Sequence, residues 1–591
     1  MEQRERKYTK PAVCLLLILS VVFSAALFST RTQPHVDEVW SYMLSNKFDG
    51  PFLYAHAAGV GEESDPDVPF ILTETESYLA YFDHWHDGDY YKNALTVQPD
   101  ERFSYAEVYH NQTLDVHPPL YYFLLHTICS FFPDRFSWWF AFGLNLAFYA
   151  GSVLLLFAVG KALKMTDLQS VLAAALWALS AAGTDNVVFL RMYMMLTFLT
   201  LASVYLHIRL INDFRRIYVA GIFLLNIAAF LTQYYAYIFA FFLTAFTVLF
   251  LLTRREFRRA VLYGLTVLAS VGAAVAAFPA VFKHLFSSVY SSTAVNSSNL
   301  LFLLSLPRVL GILIRSFTGL EFSFLSRPYV LFAFPAEILL IYFIILLLRI
   351  RKREKISNIT KENFPFLAHT TGGTIKSDLK RLRSFLGTPD QKILLGASLV
   401  ASAVIIEISP EMGVLMVRYL FQLLPLFSVF FVMYVGRILR HAAAEKPASK
   451  SACKTLLVLL TVLLIVGSHT IPKRSCFLAS VYGDSNGYAE LLSDASIVFA
   501  DGTHHSQAFA AALQEARRVY PTDSLDQPLA AVIRESMKDG PPLYLIVSSA
   551  VSSAEQVEDY LNSEAACQWS FVLAFHQSTD DPAVHRLYRL E

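Results

Sequence analysis

Long apolar runs recur along the whole chain, separated by short polar or basic stretches. A helix that crosses a membrane needs about 20 mostly apolar residues. By that measure the pattern predicts spans at 12–29, 137–160, 168–184, 192–208, 217–233, 235–252, 260–280, 329–348, 393–409, 412–436 and 454–471. A shorter apolar piece, 118–132, opens on Pro118 and Pro119 and carries Tyr121 and Tyr122. Prolines suit a first helical turn and tyrosines suit a membrane boundary, so this piece reads as a half-inserted or surface helix. Together with 137–160 it makes one net crossing. Residues 301–318 read as interfacial, because Arg308 and Arg315 would be costly at mid-bilayer. The fold expected is an α-helical polytopic membrane protein with about 11–13 transmembrane helices and a small α/β domain at its C-terminal end.

Orientation follows from the Lys/Arg bias of the short loops. The N-terminus, Lys161/Lys164, Arg209 to Arg216, Arg254 to Arg259, Arg349 to Lys355 and Arg437/Arg440 are basic and belong in the cytoplasm. Basic residues before the first span give it the look of a secretory signal, but no strong small-residue cleavage site precedes Pro34, so it reads as an uncleaved anchor. Alternation then places 30–116, a first external loop, and 281–328, a second external segment, on the far side with everything after 472. Residues 350–391 form a basic cytoplasmic linker. The membrane region is 1–472, and 473–591 is an extracytoplasmic α/β domain. Its strands are expected at SIVFA, LYLIVSS and SFVLAF, and its helices at AFAAALQEARRVY and AEQVEDYLN. In a bacterium the membrane would be the plasma membrane.

Composition agrees. Of 591 residues 55% are hydrophobic and only 16% charged, with a mean hydropathy of +0.44. About a quarter charged is usual for a soluble domain, so this chain is neither a soluble enzyme nor a disordered tail. Lys+Arg and Asp+Glu are both 48, which argues against nucleic acid as a partner. Five cysteines are too few for a disulfide scaffold, although Cys476 and Cys567 both fall in the external tail and could pair there.

Polar chemistry gathers at the outer boundary. Asp37 and Glu38 follow the first span, Asp115 and His117 precede the HPPLYY helix, Asp185 and Arg191 bracket an outer turn, and Glu407, Glu411 and Arg418 cluster at another. Asp37 beside Glu38 and near lipid is expected to have a raised pKa, from desolvation and like-charge repulsion, and so to be poised as a proton acceptor. The alternative is a solvated pair after a helix end. Arg191 with Tyr193, and Arg418 with Tyr419, place guanidinium forks at headgroup depth, suited to a lipid phosphate or to ordinary snorkelling. Asp115, His117 and Tyr121 are candidate substrate contacts. No cofactor is expected. A divalent cation would find its best ligands in DHWHDGD (Asp83 to Asp89), whose spacing matches no recognised metal pattern and reads as a polar loop.

Taken in order, VDEVWSY (Val36 to Tyr42), DVHPPLYYFLLH (Asp115 to His126), LRMYMM (Leu190 to Met195), TQYYA (Thr232 to Ala236) and RYLFQLLPLF (Arg418 to Phe427) resemble the GT-C superfamily of polytopic glycosyltransferases. The similarity is greatest to the protein O-mannosyltransferase and aminoarabinose-transferase branch and its bacterial relatives, and it covers about 1–440. It implies a polyprenyl-phosphate sugar donor in the outer leaflet, with Asp37 as general base or acceptor-binding acid and Arg191 and Arg418 at donor phosphate positions. Relatives often carry Glu-Ala-Arg before the Tyr, where this chain has Phe189-Leu190-Arg191. Any role of that Glu has no holder here.

The expected chemistry is one displacement at the anomeric carbon, with inversion, onto an acceptor hydroxyl that the sequence does not identify. No phosphate-cradling glycine loop points to a nucleotide sugar. A transporter or flippase of lipid-linked sugars is the rival, favoured by Glu337 just after Pro335 inside a span. A scaffold presenting the C-terminal domain is a second.

Overall fold

Backbone in lipid must satisfy its own N–H and C=O groups, so apolar runs of this kind become helices. The computed structural model describes residues 2–31, 34–46, 81–286, 306–318, 384–409, 417–442, 447–470, 488–501, 509–539, 542–576 and 584–591. In chain order, α1 (Glu2–Ser29) leads to α2 (Val36–Ser45). A two-residue strand, β1 (His86–Asp87), precedes the short helices α3 (Gly88–Leu95), α4 (Tyr105–Leu114) and α5 (Leu120–Ser130). The bundle continues through α6 (Trp138–Ala162), α7 (Asp167–Ala178), α8 (Ala181–Val188), α9 (Tyr193–Asn212), α10 (Arg216–Phe230), α11 (Tyr235–Thr253) and α12 (Phe257–Ala277). Then come α13 (Leu306–Thr318), α14 (Pro389–Ile408), the single turn α15 (Val417–Leu420), α16 (Leu424–Ala442) and α17 (Pro447–Thr470).

Among the described residues seven helices are long and apolar enough to cross a membrane, within α1, α6, α9, α11, α12, α14 and α17. The protein is a multi-pass integral membrane protein. Its outer helices leave Ile18, Val22, Leu265, Leu268, Leu459 and Leu463 exposed, a surface suited to lipid. Helix α9 lies at the centre, with 72% of its apolar window buried against 17% for α17.

Three expected spans differ. The one at 168–184 is two helices, α7 and α8, bent by 52°. Ser180 interrupts the helix in extended conformation, and a Cβ on Gly183 would lie 2.3 Å from the Trp177 carbonyl oxygen, so only glycine lets the two arms close this tightly. The span at 217–233 is α10, 15 residues or about 22 Å, short of the hydrocarbon core. The span at 412–436 starts later, at Leu424, after α15. The expected span 329–348 with Glu337, the linker up to 383, Glu411 and Cys476 all lie outside the described residues.

The C-terminal region builds a sheet in the order β1-β3-β2-β4-β6-β5. Strands β2 (Ser496–Ala500), β3 (Arg518–Thr522) and β4 (Leu543–Ser548) run parallel, and β5 (Trp569–His576) and β6 (Val584–Leu590) close it antiparallel. The helix expected over AFAAALQEARRVY stops at Leu513, after α18 (Ala510–Leu513), and its RVY end becomes part of β3. A buried slot beside β2 favours Val519 and Tyr520 as strand residues over the local helical pattern. Strand β1 comes from the first external loop and pairs antiparallel with β3. Loop one and the tail therefore share one side of the membrane.

DHWHDGD is not a free polar loop, because it is built into the edge of the C-terminal sheet. Trp85 packs on Tyr520 at 5.3 Å between ring centroids, and the Arg518 guanidinium stacks over it at 4.2 Å. Asp83 donates its backbone N–H to the Pro521 carbonyl at 2.8 Å, and Asp87 caps α3 by accepting from the Tyr90 N–H at 3.0 Å. No group of three or more His, Cys, Asp or Glu with the spacing of a metal site occurs among the described residues.

Candidate active site at one end of the bundle

All five motif stretches meet at the end of the bundle that carries loop one. Helix α2 begins there, capped by His35, whose Nδ1 accepts from the Asp37 N–H at 3.1 Å. Glu38 reaches back to the His35 N–H at 2.9 Å, completing a capping box. Leu120, at the start of α5, donates its N–H to the Leu231 carbonyl at 2.9 Å, which seats HPPLYY against TQYYA. In the turn after α8, the Phe189 and Val187 carbonyls accept from Asn145 of α6 at 2.9 and 3.3 Å, so Leu190 and Arg191 are held in place before α9 starts.

Arg191 is buried and its contacts are specific. Its Nη1 donates to the Asp37 backbone carbonyl at 2.9 Å and to the Ser41 hydroxyl at 3.3 Å. Its Nη2 lies 3.4 Å from His117 Nε2, and His117 Nδ1 lies 2.8 Å from Asp115 Oδ2. A guanidinium can only donate, so Nε2 accepts, and the ring proton sits on Nδ1 and is given to Asp115. Asp115, His117 and Arg191 form one hydrogen-bonded chain. Burial alone would raise the Asp115 carboxyl, but the His117 contact and the Arg191 charge outweigh it and hold it below its usual range.

Arg418, from α15, forms a direct ion pair with Asp37 Oδ2. Its Nη2 donates to the Tyr419 hydroxyl at 3.1 Å and its plane lies over the Tyr419 ring at 5.1 Å. Tyr419 packs on Tyr235 of TQYYA at 4.9 Å, and Tyr193 stacks on Phe189 and meets Phe421 edge-on. Aromatic rings thus wall the guanidinium pair.

The two adjacent carboxylates part company. The Asp37 side chain is 27% exposed and is the open one. Burial would raise its pKa, but Arg418 first, then His35, Arg191 and His117, reverse the shift and hold it well below the carboxylate range. The upward shift expected from sequence is therefore overturned, because the neighbour that decides it is a cation far along the chain. Glu38 points away from its partner and is fully buried. Its carboxylate accepts from Arg31 at 3.1 Å, from His35 N–H and from the Leu190 N–H at 2.8 Å. With those partners Glu38 joins α2 to the 189–191 turn, and Asp37 is the more open of the two carboxylates. Tyr121 is also fully buried, packed edge-on to Tyr122, and does not reach an open surface.

His35, Ser41 and Arg31 belong to this cluster and were not singled out from the sequence. His35 and Ser41 flank or sit inside VDEVWSY, and Arg31 precedes it; their proximity to the motif was the available signal. Burial, aided by the guanidiniums of Arg418, Arg191 and Arg31 and opposed by Asp37, pushes the His35 imidazole down to about 4, so it caps in its neutral form.

No family model and no curated protein matches the chain. Solved structures similar to it include the archaeal oligosaccharyltransferase AglB from Archaeoglobus fulgidus in complex with an inhibitory peptide and a dolichol-phosphate, at 12% identity over 92% of this chain and 70% of that one, TM-score 0.40. The same organism's oligosaccharyltransferase tethered with an acceptor peptide is similar at 11% identity over 92% and 69%, TM-score 0.45. ArnT from Cupriavidus metallidurans bound to undecaprenyl phosphate is similar at 10% identity over 96% and 97%, TM-score 0.32. These neighbours are GT-C glycosyltransferases, the class that the order of motifs in this chain also resembles.

Proposed function

We propose that the protein is a glycosyltransferase that moves a sugar from a polyprenyl-phosphate donor to an acceptor hydroxyl at the outer face of the membrane. The observation that carries this reading is the convergence of one open carboxylate, Asp37, with two buried guanidiniums, Arg191 and Arg418, from segments far apart in sequence. Asp37 takes the proton of the acceptor hydroxyl as its oxygen attacks the anomeric carbon. The bond from that carbon to the phosphate oxygen breaks, and the electron pair leaves with the polyprenyl phosphate. Arg191 and Arg418 hold the phosphate and bind it more strongly as charge develops on it. Tyr193 and Tyr419 wall the phosphate site, and Asp115 orients His117 against Arg191.

Sidedness supports the same reading. The site lies where α6, α9 and α11 begin, while Lys161, Arg209 and Arg254 mark their other ends, about 24–35 Å away. By the bias of basic residues that far end is cytoplasmic, which puts the N-terminus inside and the C-terminal sheet outside with the site.

The test is turnover of a panel of polyprenyl-phosphate sugars by purified protein in nanodiscs, with cell-envelope extract as acceptor. Asp37→Asn should cut turnover by roughly 10²–10⁴-fold, the range for loss of a general base. No turnover of any donor by the wild type would remove the reading.

A further inference from the structure

Asp37 and Arg418 are given opposite duties by the reaction, yet in the resting protein each occupies the other. The base has to accept a proton, and the guanidinium has to grip a phosphate. Here Arg418 Nη1 is bound to Asp37 Oδ2, while its Nη2 and its flat face are anchored on the hydroxyl and ring of Tyr419. Arg191 does not touch the carboxylate here: its Nη1 donates to the Asp37 backbone carbonyl and to Ser41, and its Nη2 faces His117. Arg418 is thus the guanidinium that the carboxylate holds and the phosphate needs.

We propose that Asp37 and the donor phosphate compete for Arg418, so that donor binding releases the base and the site takes its donor before its acceptor. This inference rests on the phosphate-donor reading above and adds its regulation. The donor's phosphodiester offers two non-bridging oxygens that share one negative charge to a planar fork, which Asp37 engages here through Oδ2. When Arg418 turns to the phosphate, anchored still on Tyr419, the carboxylate loses its nearest counter-ion and becomes a stronger proton acceptor. An acceptor that arrives without a donor meets a carboxylate already neutralised by Arg418. Arg418 therefore holds the base until the sugar donor is in place.

Competition predicts a sign that a plain base does not. Removing the charge of Asp37 should tighten phosphate binding, not leave it unchanged. Undecaprenyl phosphate is titrated into the full-length protein in nanodiscs for wild type, Asp37→Asn, Arg418→Gln and the double variant, with thermal midpoints recorded alongside. Asp37→Asn keeps the shape of the side chain and should bind about tenfold more tightly than wild type. Arg418→Gln should bind more weakly, and adding Asp37→Asn to it should change nothing further, because the contested group is gone. Equal or weaker binding by Asp37→Asn overturns the competition while leaving the donor reading intact. Tightening that persists in the Arg418→Gln background overturns Arg418 as the shared group. A wild type that fails to bind undecaprenyl phosphate overturns the donor reading and this inference together.

Discussion

The Glu38 carboxylate accepts the Leu190 N–H at 2.8 Å across 152 positions of sequence, and so ties the helix that carries Asp37 to the turn that carries Arg191. Its other bonds go to Arg31 and to its own helix cap. Relative placement of the candidate base and one candidate phosphate ligand thus depends on a residue that touches neither substrate.

Glu38→Ala removes the Glu38 carboxylate from Arg31 and the acceptor from the Leu190 N–H. Breaking a buried pair from one side costs roughly 3–5 kcal/mol. The expected result is a lower thermal midpoint in nanodiscs and loss of undecaprenyl phosphate binding, whereas Asp37→Asn, which also gives up an ion pair, should keep that binding. Matching midpoints for Glu38→Ala and wild type would show that the tie is not needed.

The Asp115–His117–Arg191 chain makes a separate prediction. Asp115→Asn removes the charge that orients the imidazole, so Arg191 loses a fixed partner while Asp37 keeps its own. The donor KM should rise by about tenfold with a smaller change in kcat, the pattern for lost ground-state positioning. A fall in kcat alone would place Asp115 in the chemistry.

His35 should make stability depend on pH. Its folded pKa is about 4 against an ordinary value of 6.5, so between those values the unfolded chain binds a proton that the folded protein does not. Stability therefore falls as pH drops from 6.5 toward 4, by about 3 kcal/mol in total for this group. The depressed carboxyls of Asp37 and Asp115 act with the same sign in a lower pH window: their contribution persists above the ordinary carboxylate value and fades only in stronger acid. Thermal midpoints between pH 7 and 4.5 should decline for wild type and decline less for His35→Asn, which keeps a capping side chain. Parallel declines would assign the effect to other groups.

Loop one docks on the tail through a close backbone contact. A Cβ on Gly88 would sit 2.5 Å from the Ala516 and Gln514 carbonyl oxygens, and neither can move as a side chain would. Gly88→Ala should unseat β1 from β3, at about 1–3 kcal/mol, the cost usual for overpacking. Hydrogen exchange should then rise across 83–95 and 518–522. The effect should also reach α2, because the Asn46 side chain donates to the Leu95 carbonyl at 2.6 Å. Exchange unchanged in α2 would separate the docking from the site.

Much of the fold was legible because its signals are local. Run length identifies α1, α6, α9, α11, α12, α14 and α17 without reference to any partner, and the basic loops label one end of each. The bend at Ser180 and the shortness of α10 were not visible, since both stretches are apolar enough to pass for ordinary spans. Strands β1, β3 and β6 were missed for a related reason: β3 becomes a strand only beside β2, β1 only beside β3, and β6 only between β4 and β5.

The sequence by itself determined that the protein lives in a membrane, which residues are charged near its outer boundary, and the order of motifs that resembles GT-C enzymes. These follow from composition, run length and spacing, which any segment displays alone. Only the tertiary structure decided that Asp37 faces Arg418 across 381 positions, that its carboxyl is therefore held low and not raised, and that Glu38 beside it joins α2 to the 189–191 turn. A charge takes its character from whatever lies within a few ångströms, and chain separation carries no record of that distance until the helices have packed.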